Sequence, residues 1–294
     1  MDTFTSSNYI HTIARLSSIS AAAEKIGISQ PALSSYLKKQ EEQLGVVLFD
    51  RSKQPLELTE EGRIYLEYAD KFKALNKEFK QHINDLESMK RGELLIGGAS
   101  FFNVTYLPRA VAQFNKKYPG ISMGIIDGKI PEITTMALNG QLDLFITPIS
   151  SDDDSFHYER LLEEKIFVCV PADWKIEGDT KDFSTFKDQP FVILKKDQHI
   201  GQIMEKLFKK HGFRPKRYVV VEQTMTSYAL TLAGVGISLI TESCIKNEHF
   251  NKGAYSLYNV DPEICAREIY VAYPRSKYLS VAAKEFINVL KENI

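Results

Sequence analysis

The spacing of apolar and polar positions divides the chain into a helical N-terminal part and a mixed remainder. Up to residue 90, proline occurs only at Pro31 and Pro55 and apolar residues recur at helical intervals. From Glu93 onward, short β-type runs alternate with amphipathic helical stretches. The predicted strands are 94–98, 121–126, 143–147, 166–170, 191–194, 218–221, 237–240 and 269–272, and the helices between them are 107–118, 131–139, 201–211, 225–233 and 281–291. Such alternation calls for parallel sheets covered by helices on both faces. The polar, proline-containing stretch 171–190 interrupts it and predicts two lobes, and a domain junction is expected at Lys90-Arg91-Gly92.

Residues 19–36, ISAAAEKIGISQPALSSY, meet the packing requirements of two helices crossing near a right angle. Such a pair needs a small residue at the close approach and, four positions later, a turn residue tolerant of positive φ, and Ala23 and Gly27 supply both. Ala22, Ile26, Ile28, Leu33 and Tyr36 fall on inward positions, Ser29 is an N-cap, and Pro31 suits the first helical turn. A plain helical hairpin shares the Ala-x-x-x-Gly spacing, but the full set of small, turn and buried positions favours a helix-turn-helix. Its second helix, 30–44, would then enter the major groove of double-stranded DNA. There Gln30 can bond adenine in bidentate fashion, Ser34 and Ser35 reach bases or phosphates, and Lys38 and Lys39 hold phosphates.

Beyond Thr59, an N-cap followed by Glu60 and Glu61, the chain runs to Met89 without proline, about 30 residues or ~45 Å of helix. Tyr65, Tyr68, Phe72, Leu75, Phe79, His82, Leu86 and Met89 recur at alternating steps of three and four, the signature of a coiled-coil seam. His82 is read as a tolerated polar seam residue rather than a metal ligand, and neighbouring Ile83 can substitute. Packing on its own domain is the alternative, but so long a helix at a junction has little to bury against, so self-association is expected. Two reading helices joined in this way recognise half-sites about one DNA turn, ~34 Å, apart or a multiple of it, which requires DNA of dyad symmetry.

The 294 residues are 44% apolar and 26% charged, which suits two or three globular domains. The formal charge of -1 offers no general basic field: residues 1–58 carry six basic and six acidic side chains. DNA affinity must therefore come from placement, with Glu41, Glu42 and Glu57 expected beyond the contacting cations. Cys169, Cys244 and Cys265 form an odd set with no close pair, which excludes a disulfide framework and a cysteine zinc module and suggests the cytoplasm. No apolar run approaches the ~18 residues of a membrane span, and no secretory leader is read.

Catalytic chemistry is hard to find. The acids of Ser150–Ser155 lie in a Ser-rich stretch and read as a solvated loop; Gly234-x-Gly236 lacks a third glycine and reads as a helix-to-strand turn. The histidines at 11, 82, 157, 199, 211 and 249 contain no H-x-x-x-H pair, and no nucleophile elbow is present. No enzyme activity, cofactor or metal is expected.

AAAEKIGISQPALSSYLKKQEEQLGVVLFDR followed by LTEEG resembles the N-terminal signature of LysR-type transcriptional regulators. The elements are Ala22-Ala23, Ser29-Gln30-Pro31-Ala32-Leu33-Ser34, Glu41, Leu44-Gly45, Leu48-Phe49, Arg51 and Leu58-Thr59-x-x-Gly62. The resemblance implies a winged helix-turn-helix with 47–58 as the wing, Arg51 or Lys53 gripping the DNA backbone or minor groove. Ala21 and Ser35 stand where the family often has Arg, so contacts made through those positions elsewhere do not carry over. Weaker motifs, Leu95-Ile96-Gly97, Leu107-Pro108, Phe114, Tyr118-Pro119, Asn139-Gly140-Gln141-Leu142-Asp143 and Leu232-Ala233-Gly234-Val235-Gly236-Ile237-Ser238, are similar to the family's effector domain, which has periplasmic-binding-protein architecture.

The implied protein is an α+β multidomain regulator. A winged helix-turn-helix occupies 1–58, a linker and dimerisation helix 59–90, and a two-lobed α/β effector-binding domain 91–294. Lobe one spans about 93–163 plus 267–294, and lobe two about 164–265. A homodimer or homotetramer, a small anionic effector between the lobes, DNA bending and contact with RNA polymerase are implied as well, and a peroxide-type thiol switch at Cys244 and Cys265 is weighed against buried inert thiols, which are favoured. Ligands of open α/β sheets sit beyond the carboxyl ends of strands, at helix N-termini. That rule selects Ser100 for a ligand carboxylate, Phe101 and Phe102 for its apolar part or as partial core, and Lys129 as a neutralising or merely solvated cation. It also selects Thr147, Thr224 and His199, the last as a neutral donor, a pH-sensitive contact or a surface residue. The rival is a solute-binding or catalytic α/β protein with a helical assembly module.

Overall fold

A computed structural model describes residues 3–86, 91–148, 154–246 and 255–294. Met89, Lys90, most of the 150–155 loop and His249 lie outside the described residues, as does the side chain of Leu86. The chain forms two compact units, residues 1–88 with 138–141 and the remainder.

In the first unit, α1 (Thr3–Leu16), α2 (Ile19–Ile26) and α3 (Gln30–Leu44) precede a hairpin of β1 (Phe49–Asp50) and β2 (Glu57–Leu58), and α4 (Glu60–Leu86) follows. Local chemistry sets the boundaries. Ser18 and Ser29 cap α2 and α3 by accepting from Ala21 N and Ala32 N, each at 3.3 Å. Gly27, at φ 82°, ends α2, and its N–H and that of Ile28 both donate to Ala23 O, at 2.9 and 3.1 Å. The small Ala23 therefore sits where the turn folds back. Ile10, Ile13, Ala22, Leu33, Leu37 and Phe49 are buried in one core, which Leu66 of α4 joins.

The Leu58-Thr59-x-x-Gly62 motif docks the long helix on the hairpin. Thr59 N–H donates to Leu48 O at 3.0 Å, its hydroxyl to Val47 O at 2.6 Å, and Gly62 N–H donates to that hydroxyl at 3.0 Å. The fit leaves no room for a side chain at Gly62, whose Cβ would lie 2.1 Å from Leu48 O.

In the second unit, β3 (Gly92–Gly98) pairs in parallel with β4 (Ile121–Asp127) and β5 (Leu144–Thr147). Helices α5 (Ser100–Lys117), α6 (Ile130–Leu138) and α10 (Val281–Glu292) complete this lobe. The other lobe has β7 (Phe191–Leu194) parallel to β8 (Tyr218–Val221), with β9 (Ser238–Thr241), β10 (Tyr255–Tyr258), α7 (His199–Lys210), α8 (Thr224–Leu232) and the short α9 (Glu242–Lys246). Two strands join the lobes: β6 (Phe156–Pro171) and its antiparallel partner β11 (Ala266–Pro274). The first half of β6 pairs with β11, and its second half with β9 and β10, both antiparallel.

The expectation of purely parallel sheets is thus corrected: each lobe is mixed, because the strands that carry the chain between lobes run against their neighbours. The strand placed at 166–170 is the second half of β6; in the half before it only Phe156 and Glu164 are buried and charged residues fall among half-buried apolar ones, as in a half-exposed antiparallel strand. Helix α5 begins at Ser100 rather than 107, through an aromatic and β-branched stretch of low intrinsic helix propensity that burial of Phe101, Phe102 and Tyr106 overrides. The stretch 171–190 contains a 3-10 turn, Phe183–Phe186, whose two phenylalanines are core residues.

Gly62→Ala forces a methyl group onto a fixed backbone carbonyl. It is expected to destabilise the first unit by ~1–3 kcal/mol, seen as an early helix-loss phase in urea melts followed by circular dichroism; an unchanged melt would refute the docking role.

Candidate nucleic-acid interface and ligand cleft

Helix α3 presents Gln30, Pro31, Ser35, Lys38 and Lys39 to solvent, with Ser34 half-buried. The Gln30 amide donates to Ser34 Oγ at 2.9 Å, which holds it at the start of the helix. The Ser29 hydroxyl is engaged as the cap. The hairpin loop exposes Arg51 and Lys53. The acids expected beyond these cations instead pair with them. Arg51 Nη2 lies 2.8 Å from Glu41 Oε2, while Glu41 Oε1 accepts from Leu48 N at 2.9 Å. Lys38 lies 3.8 Å from Glu42, and Lys53 3.9 Å from Glu57. Lys39 has no ionic partner among the described residues. On α4, Tyr68, Phe72, Leu75 and Phe79 are each more than half exposed. Tyr65 is not part of that open face; it packs half-buried against the helical core of the first unit.

Between the lobes of the second unit lies a cleft of about 490 Å³. One wall comes from Ser100, Phe101, Phe102, Gly128, Lys129 and Pro148, the other from Asp197, Gln198, His199, Gln223 and Thr224, and Arg267 of β11 completes it. Three helices, α5, α7 and α8, start here at Ala99, Gln198 and Gln223, none of which provides a side-chain cap. Their first N–H groups are available to a ligand. At the cleft mouth Lys129 Nζ reaches Asp197 Oδ2 at 3.4 Å, linking the lobes, and Lys195 pairs with Glu222.

Arg267 is held from behind. Its Nε and Nη2 donate to Glu164 Oε2 at 2.9 and 2.7 Å, and Tyr106 and Ser243 donate their hydroxyls to the same carboxylate at 3.0 and 2.5 Å. Burial raises the pKa of Glu164, but the Arg267 charge and these hydrogen bonds outweigh it and hold the carboxyl below its ordinary value. The guanidinium lies 5.1 Å from the Phe102 ring centre. Near it, His199 Nδ1 is buried without a hydrogen-bond partner among the described residues. Burial, reinforced by the charges of Arg267 and Lys206, lowers the His199 pKa to about 4, so the ring is neutral at pH 7.

Two family descriptions match this chain: "Bacterial regulatory helix-turn-helix protein, lysR family" over residues 5–63 and "LysR substrate binding domain" over residues 87–294. The chain belongs to the LysR family. It is a DNA-binding transcriptional regulator with an effector-binding domain, and its relatives are regulators rather than enzymes. It is similar to the uncharacterized HTH-type transcriptional regulator YybE of Bacillus subtilis (strain 168), 26% identical over 95% of this chain and 94% of that protein. It is also similar to the HTH-type transcriptional regulator CbbR of Rhodospirillum rubrum, 27% identical over 95% and 92%. Among solved structures, CbnR, a LysR family transcriptional regulator, shares the fold with a TM-score of 0.73 at 19% identity, covering 100% of this chain and 99% of that one. CbnR complexed with its target DNA gives 0.72 at 20% identity over 100% of both chains.

In this LysR regulator Ser100, Phe101, Phe102, Lys129, His199 and Thr224 all line the cleft, although Phe101 and Phe102 are also core residues. Thr147 does not: it ends β5 fully buried, and the next residue, Pro148, emerges at the cleft. Arg267 escaped the strand-end rule because it lies near the start of its strand. All three cysteines are buried; burial pushes Cys169 and Cys265 up to about 12 and Cys244 higher, opposing thiolate formation. Among the described residues no helix is long and apolar enough to cross a membrane, and no His, Cys, Asp or Glu cluster fits a metal.

Glu164→Leu strands a buried guanidinium and is expected to cost ~3–5 kcal/mol, most of which Glu164→Leu with Arg267→Met recovers. The sole tryptophan, Trp174, packs on the second lobe's core and reports this unfolding by fluorescence; a double variant as unstable as the single one would refute the pairing argument. For His199 the folded chain favours the neutral ring, so between the ordinary 6.5 and about 4 the unfolded chain binds more protons and stability falls as pH falls. His199→Gln should therefore lose less Tm than the parent on acidification from pH 6.5 to about 5, and equal losses would show that the ring does not titrate in this way.

Proposed function

We propose that this LysR regulator is a cytoplasmic protein that reads a dyad-symmetric promoter site as a dimer or tetramer, and that a small anionic effector bound between its lobes sets its contact with RNA polymerase. Gln30, Ser34 and Ser35 read bases, while Lys38, Lys39, Arg51 and Lys53 hold phosphates, with Ser29 and Pro31 shaping the helix start. The complex of the similar CbnR with its target DNA supports this assignment. The exposed row Tyr68, Phe72, Leu75 and Phe79 on α4 supports a coiled-coil dimer, the seam continuing to Leu86.

The observation that carries the effector reading is the convergence on one cleft of three uncapped helix N-termini with Arg267. Every carboxylate at that cleft already has a partner: Asp127 with Asn103, Glu132 with Lys129 N–H, Asp197 with Lys129 and Glu222 with Lys195. The unpaired N–H groups are what remains for a ligand, and they select an anion. Ser100 and Thr224, on opposite lobes, bind its oxygens. The ligand acts through its differential affinity for the open and closed arrangements, in which the Lys129–Asp197 pair is broken or made.

Mobility-shift titrations test the DNA assignment. Gln30→Ala should relax preference at one base position by ~1–3 kcal/mol. Arg51→Ala should weaken binding to all sequences and flatten the dependence on salt. Equal affinity of the parent protein for its own promoter and for scrambled DNA at matched salt would overturn sequence-specific recognition.

A further inference from the structure

The polar groups of the inter-lobe cleft separate by charge, and groups of both signs are left unmatched. The starts of α5, α7 and α8 each carry about half a positive charge, so the three together exceed what one carboxylate neutralises. Arg267 adds to them. Its side chain is only 4% exposed, Nε and Nη2 are engaged by Glu164, and Nη1 has no hydrogen-bond partner among the described residues. The hydroxyls of Ser100 and Thr224, which line the same cleft, are likewise unpartnered among them.

Asp127, Glu132, Asp197 and Glu222 also line the cleft. The cations Lys129 and Lys195 match Asp197 and Glu222. The other two acids have only uncharged donors: Asp127 accepts from the Asn103 amide at 2.5 Å, and Glu132 from the Lys129 backbone N–H at 3.2 Å. Neither has an ionic partner among the described residues. Asn103, 8% exposed, is itself fixed by Gly98 O and Ile126 O at 3.3 and 3.4 Å, so it holds one oxygen of Asp127 in place and leaves the other open. Both acids stand beside the Gly128–Lys129 turn that follows β4, where each is the other's like-charged neighbour and a cation between them relieves the repulsion.

Resting on the anionic-effector reading of this cleft, we propose that the effector is an acidic amino acid. Its two carboxylates lie on the helix starts, with Ser100 and Thr224 and beside Arg267 Nη1, and its ammonium is accepted by Asp127 and Glu132. The class follows from both unmatched sets. A dicarboxylate without an ammonium leaves the two acids unmatched and adds charge of their own sign. A neutral amino acid leaves part of the positive set unmatched, and a plain amine leaves all of it. Asp127 and Glu132 are then specificity-determining residues, and Asn103 is a positioning residue that presents Asp127.

The test titrates aspartate and glutamate into the full-length protein by calorimetry, beside succinate and glutarate, which lack only the ammonium, alanine, which lacks the second carboxylate, and putrescine, which has none. At least one acidic amino acid should bind saturably, roughly tenfold or more tighter than its deaminated counterpart and than alanine. Asp127→Asn with Glu132→Gln, both at exposed positions, should weaken that amino acid roughly tenfold or more and leave the deaminated acid bound as well as before or better. Thr224→Trp, which fills the cleft, should abolish binding of both. The bound amino acid should also shift operator affinity of the parent protein in mobility-shift titrations. No binding of either amino acid, preference for the deaminated acid or for alanine, a preference that survives the double substitution, binding that survives Thr224→Trp, or no shift in operator affinity each overturns the proposal. The two readings fail differently: succinate or glutarate bound more tightly than the amino acids overturns the ammonium site and leaves an anionic effector standing, whereas putrescine bound in place of every carboxylate overturns both.

Discussion

Two strands carry the chain between the lobes of the effector domain, and at their crossing Glu164 faces Arg267 with the residues only 1% and 7% exposed. Removing two charges from water costs several kcal/mol per ion, and a pair of this kind rarely contributes more stability than apolar side chains of equal volume. Its consequence is geometric. The carboxylate collects five donors, from Arg267, Tyr106 and Ser243, so α5, β6, β11 and the start of α9 are tied to one point. An apolar replacement would fill the space without fixing which residues meet there.

That fixed point governs the cleft. The guanidinium, held by Glu164 and lying against Phe102, can turn toward neither solvent nor its own strand, so the positive end it offers to the cleft is pre-oriented. His199 sits in the same field and is kept neutral first by its burial and then by that charge, which leaves an uncharged ring beside a fixed cation rather than two repelling cations. The three uncapped helix starts are likewise backbone groups on rigid elements, unable to relax away from an empty site. The Lys129–Asp197 and Lys195–Glu222 pairs at the mouth join exposed side chains and cost little to break, and of the two it is Lys129–Asp197 that links the lobes.

Much of this was legible from residue order because local requirements are strict. The turn after α2 needs a small residue and a left-handed position, and α3 needs a cap and tolerates an early proline, so its limits at Gln30 and Leu44 coincide with the reading. Strands β7 and β8, short and apolar throughout, were equally plain. What escaped depended on partners distant in sequence. The charged half of β6 becomes a strand only against β11, 103 positions away at the Glu164–Arg267 contact. Phe183 and Phe186 lie in a polar stretch, and their burial comes from distant rings: Phe191, Phe208 and Phe213 around Phe183, and Tyr258 against Phe186. Strand-end logic found six lining residues, but it could not find Arg267, whose position follows from a strand that passes the cleft rather than stopping at it.

The same distinction applies to charge. Counting residues made the DNA-binding domain neutral; the fold shows how that neutrality is distributed, with Arg51 on Glu41, Lys38 on Glu42 and Lys53 on Glu57. The two lysine pairs are long and exposed and yield readily to a phosphate. Glu41 differs, since it is largely buried and also accepts from Leu48 N–H, so it orients Arg51 from the wing toward α3 before any DNA arrives. A phosphate that engages Arg51 gains a guanidinium already placed but partly neutralised. On the proposed assignment each such contact is weak and demanding in its geometry, and a domain relying on them would discriminate by fit to the groove rather than by attraction to the polyanion.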